Sequence, residues 1–549
     1  MVSTNVVNPF TRAVRYFCAP DACSTTNTAA ELNAVRASFA QWQAVPGTSL
    51  KFEDAGLVAP GVDVDENDGT NVVFWAKKST LVAGGRVDLG NALATTLFAT
   101  VADNVLAGAD IVLNGNPQQG YYWFTDINND TTDSRWQFIE GVVTHEIGHF
   151  VGLEHSPLGG ATMFARSTPG VSTTAGLSSD EVAAARFLYP QPAWVGKCGG
   201  VQGRVTLNGQ AVFGAVVTGE SPSGGFVTAT VSGADGAYEL PAIPPGSFNL
   251  RVTPLDPASL TTFFLVRGLD ISPDFAGAQT GFLPTTNALL IVNASETNTL
   301  DFALAGGTPG FQITHIRTPT TDAAWQGGYN AATAVRVGQS NLIVGVYGPS
   351  LPAKGATLRV TGDGLTVTPL DLVSDFAGLR LVSALLSVSA DATPGLRSFV
   401  VQYGDDLAYA NGCLEVQPAI PDWNFDGLDD QFQRQYFPLW TAPEAGPDAD
   451  PDGDGFNDRY EYLAHTSPTA PASFPVVQIE RVTLTAQGSV VAWNAVPGAA
   501  YQVLSRDEFS PTHPWTQIGQ VVGGSDYRAQ FQDATATNRI RFYRVQVMP

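Results

Sequence analysis

The segment HEIGHFVGLEH, residues 145–155, decides how this sequence is interpreted. Residues four apart lie on one face of a helix, so His145 and His149 can direct their imidazoles at a single metal ion. The glycine that follows lets the chain leave the helix and turn back, which brings His155 within reach as a third ligand. Three neutral imidazoles leave one position of a tetrahedral zinc site open for water, as in catalytic zinc sites. Glu146 lies beside them and can act as a general base on that water.

The residues around this segment predict the helix that carries it. Apolar side chains recur at helical spacing from Asp133 to Val151, and a glycine follows as the stop. The alternative is a buried helix whose histidines have this spacing by chance. Only six histidines occur in the whole chain, and three of them fall in this one pattern. The pattern therefore favours a catalytic zinc centre.

A methionine follows the third histidine closely. Met163, in the sequence ATMF, lies eight residues after His155. Together with H-E-x-x-H-x-x-G-x-x-H, this resembles the metzincin metalloproteases, whose signature is that motif followed by a methionine turn. Within this group the sequence looks like the matrixin (matrix metalloprotease) branch, over residues 1–190. The further matching stretches are VRY at 14–16, FAQW at 39–42, HS at 155–156, LSSDE at 177–181 and LYP at 188–190.

The resemblance implies a fold, a reaction and residue roles. It implies an α+β metzincin catalytic domain over residues 1–196 that hydrolyses peptide bonds, with Glu146 accepting the proton of a zinc-activated water. Met163 would pack beneath the metal without binding it. Substrate would pair as an extra strand with one edge of the sheet, an internal position for that strand being the alternative. The predicted edge strand consists of Ala109, Asp110, Ile111, Val112 and Leu113.

The sequence also departs from the matrixin pattern. Vertebrate matrixins hold a second, structural zinc through further histidines, whereas residues 1–196 contain only the three histidines of the motif. One zinc ion is therefore expected. The cysteine-containing propeptide motif is missing, so the sequence does not explain how latency is kept. The loop 166–176 after the methionine would wall the pocket for the side chain just past the scissile bond.

An acidic segment, DPDGDGFNDRYE at residues 450–461, matches the twelve-residue loop of an EF-hand. Hard oxygen ligands at this spacing suit calcium, and a solvated acidic turn is the alternative. The segment resembles the thrombospondin type 3-like calcium repeats of bacterial extracellular proteins, so one or two calcium ions are expected. The predicted ligands are Asp450, Asp452, Asp454, Phe456, Asp458 and Glu461. A weaker copy, with Gln433 at its twelfth position, comprises Asp422, Asn424, Asp426, Leu428 and Asp430.

After Pro190 the pattern changes to short alternating runs and glycine turns, which is typical of serial β-sandwiches. Region 199–305 resembles a carboxypeptidase regulatory-like sandwich, region 310–418 is generically immunoglobulin-like, and region 475–549 resembles a fibronectin type III-like module. The calcium segment occupies 420–472. The predicted fold is thus an α+β catalytic domain followed by several all-β sandwich domains and an Asp-rich calcium-binding segment. The sandwiches would act as spacers or bind a polymer or a cell surface.

Composition and charge limit the classes of binding partner and the cellular compartment that fit this chain. The 51 acidic and 28 basic residues give a net charge of −23, which argues against nucleic acid and anionic membrane surfaces as partners. No apolar run reaches the roughly 18 residues that a membrane span needs. Residues 1–10 lack the charged and apolar regions of a signal peptide, so a secreted protein would be present here in processed form.

The four cysteines bear on the redox compartment. Cys18 and Cys23 flank a Pro- and Asp-containing stretch, which predicts a small disulfide loop. Whether Cys198 pairs with Cys413 stays open. The alternative is four inert thiols in a cytosolic protein.

The sequence as a whole predicts a secreted zinc-dependent endopeptidase that acts on extracellular proteins or glycoproteins. The alternative is a multidomain adhesin or surface-binding protein with a vestigial protease domain. The intact Glu146 argues against the alternative, because a pseudoenzyme has no need of the base. The sequence does not indicate the natural substrate.

Overall fold

The computed structural model describes residues 12–101, 105–130, 133, 135–166, 175–255, 275, 277–287, 289–319, 325–326, 332–352, 354–372, 378–473, 477–496, 498–508, 510, 512–524, 528–536 and 540–548. The chain divides into two compact units, Met1–Phe425 and Asp426–Pro549. No helix in the described part of the chain is long and apolar enough to cross a membrane.

The first domain of the first unit is built on a five-stranded sheet. Its elements are β1 (Val14–Cys18), α1 (Thr28–Ala44), β2 (Phe52–Leu57), β3 (Val72–Trp75), β4 (Leu81–Val82), β5 (Val87–Asp88), β6 (Ala94–Val101), β7 (Val105–Leu113), β8 (Tyr122–Phe124), β9 (Trp136–Phe138), α2 (Ile139–Phe150) and α3 (Ser179–Leu188). The sheet order is β2-β1-β3-β7-β6. The first four strands pair in parallel, and β6 runs antiparallel to β7.

Helices α1 and α2 pack together against this sheet. Helix α1 buries Val35, Phe39 and Trp42 on one face, as their helical spacing predicts. The ring of Phe39 stacks on Tyr16 of β1, with centroids 3.8 Å apart. The indole Nε1 of Trp42 donates to the carbonyl of Thr144 in α2 at 2.9 Å. Helix α1 therefore supports the helix that carries the histidines.

Two expectations about this domain are wrong. The predicted helix over 133–151 begins only at Ile139, because Trp136–Phe138 forms strand β9 and pairs in parallel with β8. The predicted edge strand 109–113 is internal, because β7 pairs with β3 on one side and with β6 on the other. Strand β6 therefore forms this edge of the sheet.

The rest of the first unit forms a second and a third domain, each with two sheets around a shared buried cluster. The second domain comprises β10 (Gly199–Leu207), β11 (Gln210–Ala211), β12 (Val216–Glu220), β13 (Val227–Val231), β14 (Ala237–Ile243), β15 (Gly246–Thr253), β16 (Thr285–Thr286), β17 (Leu290–Val292), β18 (Thr297–Thr299) and β19 (Phe302–Leu304). The third comprises β20 (His315–Pro319), β21 (Trp325–Gln326), β22 (Thr333–Arg336), β23 (Leu342–Gly348), β24 (Thr357–Val360), β25 (Leu365–Leu370), β26 (Arg380–Val388), β27 (Gly395–Tyr403) and β28 (Asp406–Gln417).

Strand order explains how each of these domains encloses its core. In the second domain β13-β12-β15-β16 faces a sheet centred on β10, which pairs with β11, β14, β18 and β19. In the third domain β21-β20-β23-β26-β25 faces β22-β28-β27-β24. Both domains pack against the first domain, so the chain does not separate into compact units at residue 196.

The second unit contains two short helices followed by six strands in its described residues. These are α4 (Asp430–Tyr436), α5 (Asp458–Ala464), β29 (Ile479–Thr485), β30 (Gly488–Asn494), β31 (Ala500–Arg506), β32 (Thr516–Val522), β33 (Arg528–Asp533) and β34 (Phe542–Val547). The sheets β29-β30-β33 and β32-β31-β34 share a core around Trp493 and Tyr501. The predicted calcium segment 420–472 crosses the division between the two units.

Candidate zinc centre

Helix α2 places the first two histidines of the motif. Its buried face, with Val143 and Ile147, packs into the main core of the first domain, which leaves the histidines on another face. The helix ends because Gly152 adopts a positive φ of 93°, a conformation that glycine adopts without strain. The amide of Leu153 then donates to the carbonyl of Gly148 at 2.9 Å, which closes the helix end and turns the chain toward His155.

The three histidines converge as ligands of one metal ion would. One ring nitrogen from each of His145, His149 and His155 lies within 4.8 Å of the other two. The Nε2 atoms of His149 and His155 are 3.3 Å apart. The Nδ1 atoms of His145 and His149 each lie 2.7 Å from a backbone carbonyl, that of Thr162 and that of Leu153. These carbonyls accept the Nδ1 protons and leave the Nε2 lone pairs for a metal.

The electrostatics of the site suit a cation-binding centre. Burial and the two neighbouring histidines hold the pKa of His145 well below its usual value. The ring is therefore neutral at physiological pH, and neutral imidazole is the form that binds metal. Three converging imidazole nitrogens, two of them on rings held by backbone carbonyls, are the donor set of a zinc site with one open position. The residues present therefore fit zinc.

Glu146 lies at the same end of the helix and is held by a residue that the sequence did not point to. Its side chain is buried, and the hydroxyl of Thr96 donates to Oε2 at 2.6 Å. Burial raises the pKa of Glu146. Thr96 belongs to β6, so the edge strand of the sheet also orients the candidate base. No local signal in the sequence identifies Thr96, since it precedes Glu146 by 50 residues.

Met163 lies directly against the histidine helix. Its side chain is 1% exposed, and its sulfur fills the space beside Gly148 so closely that a methyl group there would overlap it. Gly148 lies next to His149 in α2, which places the methionine below the ring of ligands. The structure thus brings together all five residues that the sequence motif singled out: His145, Glu146, His149, His155 and Met163.

Residues 11–190 match the family model of the matrixins. The match covers about a third of the chain and includes the three histidines, Glu146 and Met163. It identifies a matrixin-like metalloprotease domain, and a zinc-dependent peptidase is the activity of that family.

Other comparisons add little. No curated protein matches the chain. Solved structures with some likeness include a Bacteroides uniformis protein (9% identity, 39% of this chain and 97% of the other, TM-score 0.14). The Bacillus anthracis TIE protein (9% identity, 64% and 45%, TM-score 0.14) and the major pilin subunit of Bacillus cereus (10% identity, 64% and 88%, TM-score 0.14) are similar to a comparable degree. These TM-scores carry no argument about fold or function.

Substitution of Gly148 by alanine is expected to damage the metal centre of the matrixin-like domain. The added methyl group would overlap the buried sulfur of Met163, and overpacking of this kind costs about 1–3 kcal/mol. Thermal unfolding and zinc titration should both show the loss. Gly141→Ala is the matched control, because it lies in the same helix and its methyl group would meet only ordinary contacts at 3.6 Å and beyond. Equal zinc affinity in the two variants would contradict the proposed packing role of Met163.

The first turn of helix α3 binds the backbone of Met163. Ser178 and Glu181, with the Ser-x-x-Glu spacing typical of a helix start, form a capping box, and Glu181 also accepts from the amide of Met163 at 2.9 Å. Asp180 is half-buried and accepts from the hydroxyl of Ser156 at 2.6 Å. Burial raises the pKa of both carboxyl groups. The capping box therefore serves the site as well as the helix, a role that the sequence pattern does not reveal.

The acidic segment of the second unit forms a candidate calcium site. Carboxylate oxygens of Asp450, Asp452 and Asp454 lie within 4.8 Å of one another. Asp458 and Glu461 of helix α5 are fully buried behind them, and both oxygens of Asp458 and Oε2 of Glu461 have no hydrogen-bond partner among the described residues. Buried carboxylate oxygens without donors are costly unless a cation binds them. The residues therefore fit a hard cation such as calcium.

The carboxyl groups of this acidic segment lie close enough together to shift one another's pKa. Burial, followed by the nearby carboxylates, raises the pKa of Asp458 and of Glu461 to about 7. The backbone is shaped around the acidic side chains, since Asp450 accepts from the amides of Gly453 and Gly455 at 2.9 and 3.0 Å. Phe456, the predicted carbonyl ligand, donates its amide to Asp454 at 2.9 Å.

The weaker acidic copy is organised differently. Asp422 and Asn424 belong to the first unit, whereas Asp426, Leu428 and Asp430 belong to the second. Within the second unit, Asp426 accepts from the amide of Leu428 and from the side-chain amide of Gln433, both at 2.8 Å. Gln433 stands where an EF-hand has its bidentate glutamate and supplies a hydrogen bond instead. Calcium binding by this copy stays a prediction.

The predicted Cys18–Cys23 disulfide is not formed, and all four cysteines are free thiols. Burial raises the pKa of Cys18 to about 12 and that of Cys23 to about 11. Thiolate, the species that forms disulfides, is therefore scarce at both positions.

Most of the predicted pocket loop 166–176 lies outside the described residues. Only residues 166, 175 and 176 of this loop are described.

Proposed function

We propose that this protein is a secreted zinc-dependent endopeptidase that cleaves extracellular proteins or glycoproteins. The observation that carries the proposal is the convergence of three imidazole nitrogens beside a buried glutamate that another side chain orients. A zinc ion held there by His145, His149 and His155 would supply Lewis acidity to a bound water and to the scissile carbonyl.

Glu146 carries the proton transfers in this proposal. Its Oε2 is held by Thr96, which leaves Oε1 to accept the proton of the attacking water. Burial raises the pKa of Glu146, and a carboxylate with a raised pKa is a stronger base toward the attacking water. The same group then protonates the leaving amine. Met163 and Gly148 fix the histidine helix below this reaction.

Strand β6 is the proposed binding edge for the substrate backbone. It is the outermost strand of the sheet, pairs only with β7 among the described strands, and carries Thr96 beside the candidate base. An extended peptide can add to such an edge through main-chain hydrogen bonds. An extended binding mode would favour unfolded or loop segments of protein substrates.

The acidic segment supports an extracellular location in this proposal. Calcium at millimolar concentration, as found outside cells, occupies even weak sites of this oxygen-rich kind. Calcium bound by Asp450, Asp452, Asp454, Phe456, Asp458 and Glu461 would order the start of the second unit. The β-rich domains would hold the enzyme on a polymer or a cell surface.

Hydrolysis of unfolded casein by the purified full chain tests the function. The expected result is cleavage, one zinc ion per chain by elemental analysis, and inhibition by 1,10-phenanthroline but not by its non-chelating 1,7 isomer. A chain that binds zinc without cleaving would favour the alternative, an adhesin with a vestigial protease domain. A chain that binds no zinc would overturn the proposal.

A further inference from the structure

The loop between the third histidine and the methionine, residues 156–163, is entirely buried although it contains neither helix nor strand. Connecting loops usually run over the surface, because their backbone polar groups need water. Leu158 in this loop is 0% exposed and Met163 is 1% exposed. Protein groups, and not water, must therefore supply hydrogen bonds to the backbone of this loop. We call it the methionine loop.

The methionine loop holds the candidate zinc ligands in place. The carbonyl of Thr162 lies 2.7 Å from Nδ1 of His145, and the amide of Ser156 donates to the carbonyl of Met163 at 2.8 Å. These hydrogen bonds therefore fix the ring orientation of His145 and the position of Met163 relative to the candidate zinc site. A displacement of the loop would reach the metal through these contacts.

The third domain covers the methionine loop and bonds to its backbone. The amides of Gly159 and Gly160 donate to the carbonyls of Asn411 and Gly412 in β28, each at 2.9 Å. These residues lie in the third domain, far along the chain from the zinc motif. The loop thus obtains from β28 the hydrogen bonds that water would otherwise supply.

Packing between the loop and the third domain is close. Leu158 clusters with Val227 of β13 and Leu396 of β27. A methyl group on Gly160 would lie 2.7 Å from the carbonyl oxygen of Gly412. A methyl group on Gly412, where φ is +63°, would lie 2.9 Å from Cβ of Leu158. Neither glycine leaves room for a side chain, so small shifts of β28 are transmitted to the loop.

A buried polar network holds β28 in position against the second domain. Arg251 of the second domain pairs with Glu220 at 2.6 Å and donates to the side chains of Asn411 and Ser398. Ser398 in turn accepts from the amide of Gly412 at 3.0 Å. The strand segment that contacts the methionine loop is therefore fixed to the second domain at the point of contact.

The second domain adds an independent attachment. Asp180 bonds the hydroxyl of Ser156 with one oxygen, and its other oxygen accepts from the hydroxyl of Thr228 and the amide of Ala229 at 2.8 and 2.9 Å. Ser179 exchanges hydrogen bonds with the backbone of Val227. One carboxylate therefore joins β13 to the start of the methionine loop.

We propose that the second and third domains stabilise the metal centre, with Gly412 and Thr228 as positioning residues for His145 and Met163. They act by holding the methionine loop and do not touch substrate. The inference rests on the proposed zinc function. It assigns these β-rich domains a role in zinc retention that is separate from surface binding.

Gly412→Ala in the full chain tests the proposal, with Gly404→Ala as its matched control. Both glycines lie in the third domain at φ near +60°, but a methyl group on Gly404 would meet no atom of the described residues within 4 Å. Both variants share the backbone strain, and only Gly412→Ala displaces Leu158. We expect Gly412→Ala to weaken zinc binding about tenfold, the lower end for residues that support metal ligands, and to change the visible spectrum of the Co²⁺-substituted protein.

The outcomes separate this inference from the proposed function. Wild-type protein without zinc would refute the proposed function itself. Zinc-loaded wild type with Gly412→Ala and Gly404→Ala alike in affinity and spectrum would overturn the inference alone. If Gly412→Ala fails to fold, Thr228→Val and Thr228→Ser decide. Weaker zinc binding in the valine variant, restored in the serine variant, supports the role, and equal binding in both refutes it.

Discussion

Glu146→Ala is expected to abolish peptide hydrolysis while the zinc stays bound. Glu146 is not among the three converging nitrogen donors, so its loss leaves the ligand set intact. It is the buried carboxylate within reach of the reaction, and general acid–base catalysis contributes about 10²–10⁴-fold to a rate. Initial rates on a fluorogenic peptide, with zinc content measured on the same samples, would record both properties.

Two further variants make this result specific. Glu146→Gln keeps the size of the side chain and can still accept the hydrogen bond of Thr96, so it isolates the loss of the base. We expect it to be as inactive as the alanine variant. His149→Ala should lose zinc and activity together, because it removes one of the ligands. Retention of more than a few per cent of wild-type activity in Glu146→Gln would exclude Glu146 as the base.

Removal of calcium is expected to open the acidic segment at residues 450–461 to proteolysis. Without a cation, three close aspartates face two buried carboxyl groups that have unpartnered oxygens, and their mutual repulsion destabilises the loop. Trypsin should then cut after Arg459 much faster in a calcium chelator than in millimolar calcium. Hydrolysis of a small peptide should change little. Cleavage at equal rates in both conditions would mean that the cluster is a solvated turn.

The metal-free segment should also depend on pH in a distinctive direction. The pKa of Asp458 and of Glu461 is raised to about 7, above the values near 4 of an unfolded chain. The folded state therefore binds protons that the unfolded state releases. Stability in chelator should be greatest below pH 4 for this pair and should fall as the pH rises through 7.

Calcium should reverse this pH dependence, because it binds the ionised carboxylates. Thermal unfolding of the full chain at pH 5.5 and pH 8, with and without calcium, would measure the effect. Asp458→Asn is the matched variant, since it keeps the shape of the side chain and removes one charge. It should be more stable than wild type in chelator at pH 8 and should gain less from calcium. A calcium response equal to that of wild type would remove Asp458 from the ligand set.

The sequence alone determined the chemistry of both candidate metal sites. The candidate zinc ligands fall within one helix and the turn after it, so the helical repeat and one glycine are enough to bring them together. The acidic segment is equally local, since twelve consecutive residues supply its oxygens. The capping box of α3 also spans only four residues. In each case the geometry follows from short-range backbone rules.

Only the tertiary structure decided which parts of the chain support these sites. Strand order is set by pairing between distant segments, so β7 is internal and β6 forms the edge. Strand β9 replaced the first turn of a predicted helix because β8 was there to pair with it. Thr96 orients Glu146, and Gly412 covers the methionine loop, through contacts that no local pattern encodes. Long-range packing selects such partners, because a buried loop or carboxylate must find its hydrogen bonds wherever the fold brings donors and acceptors close.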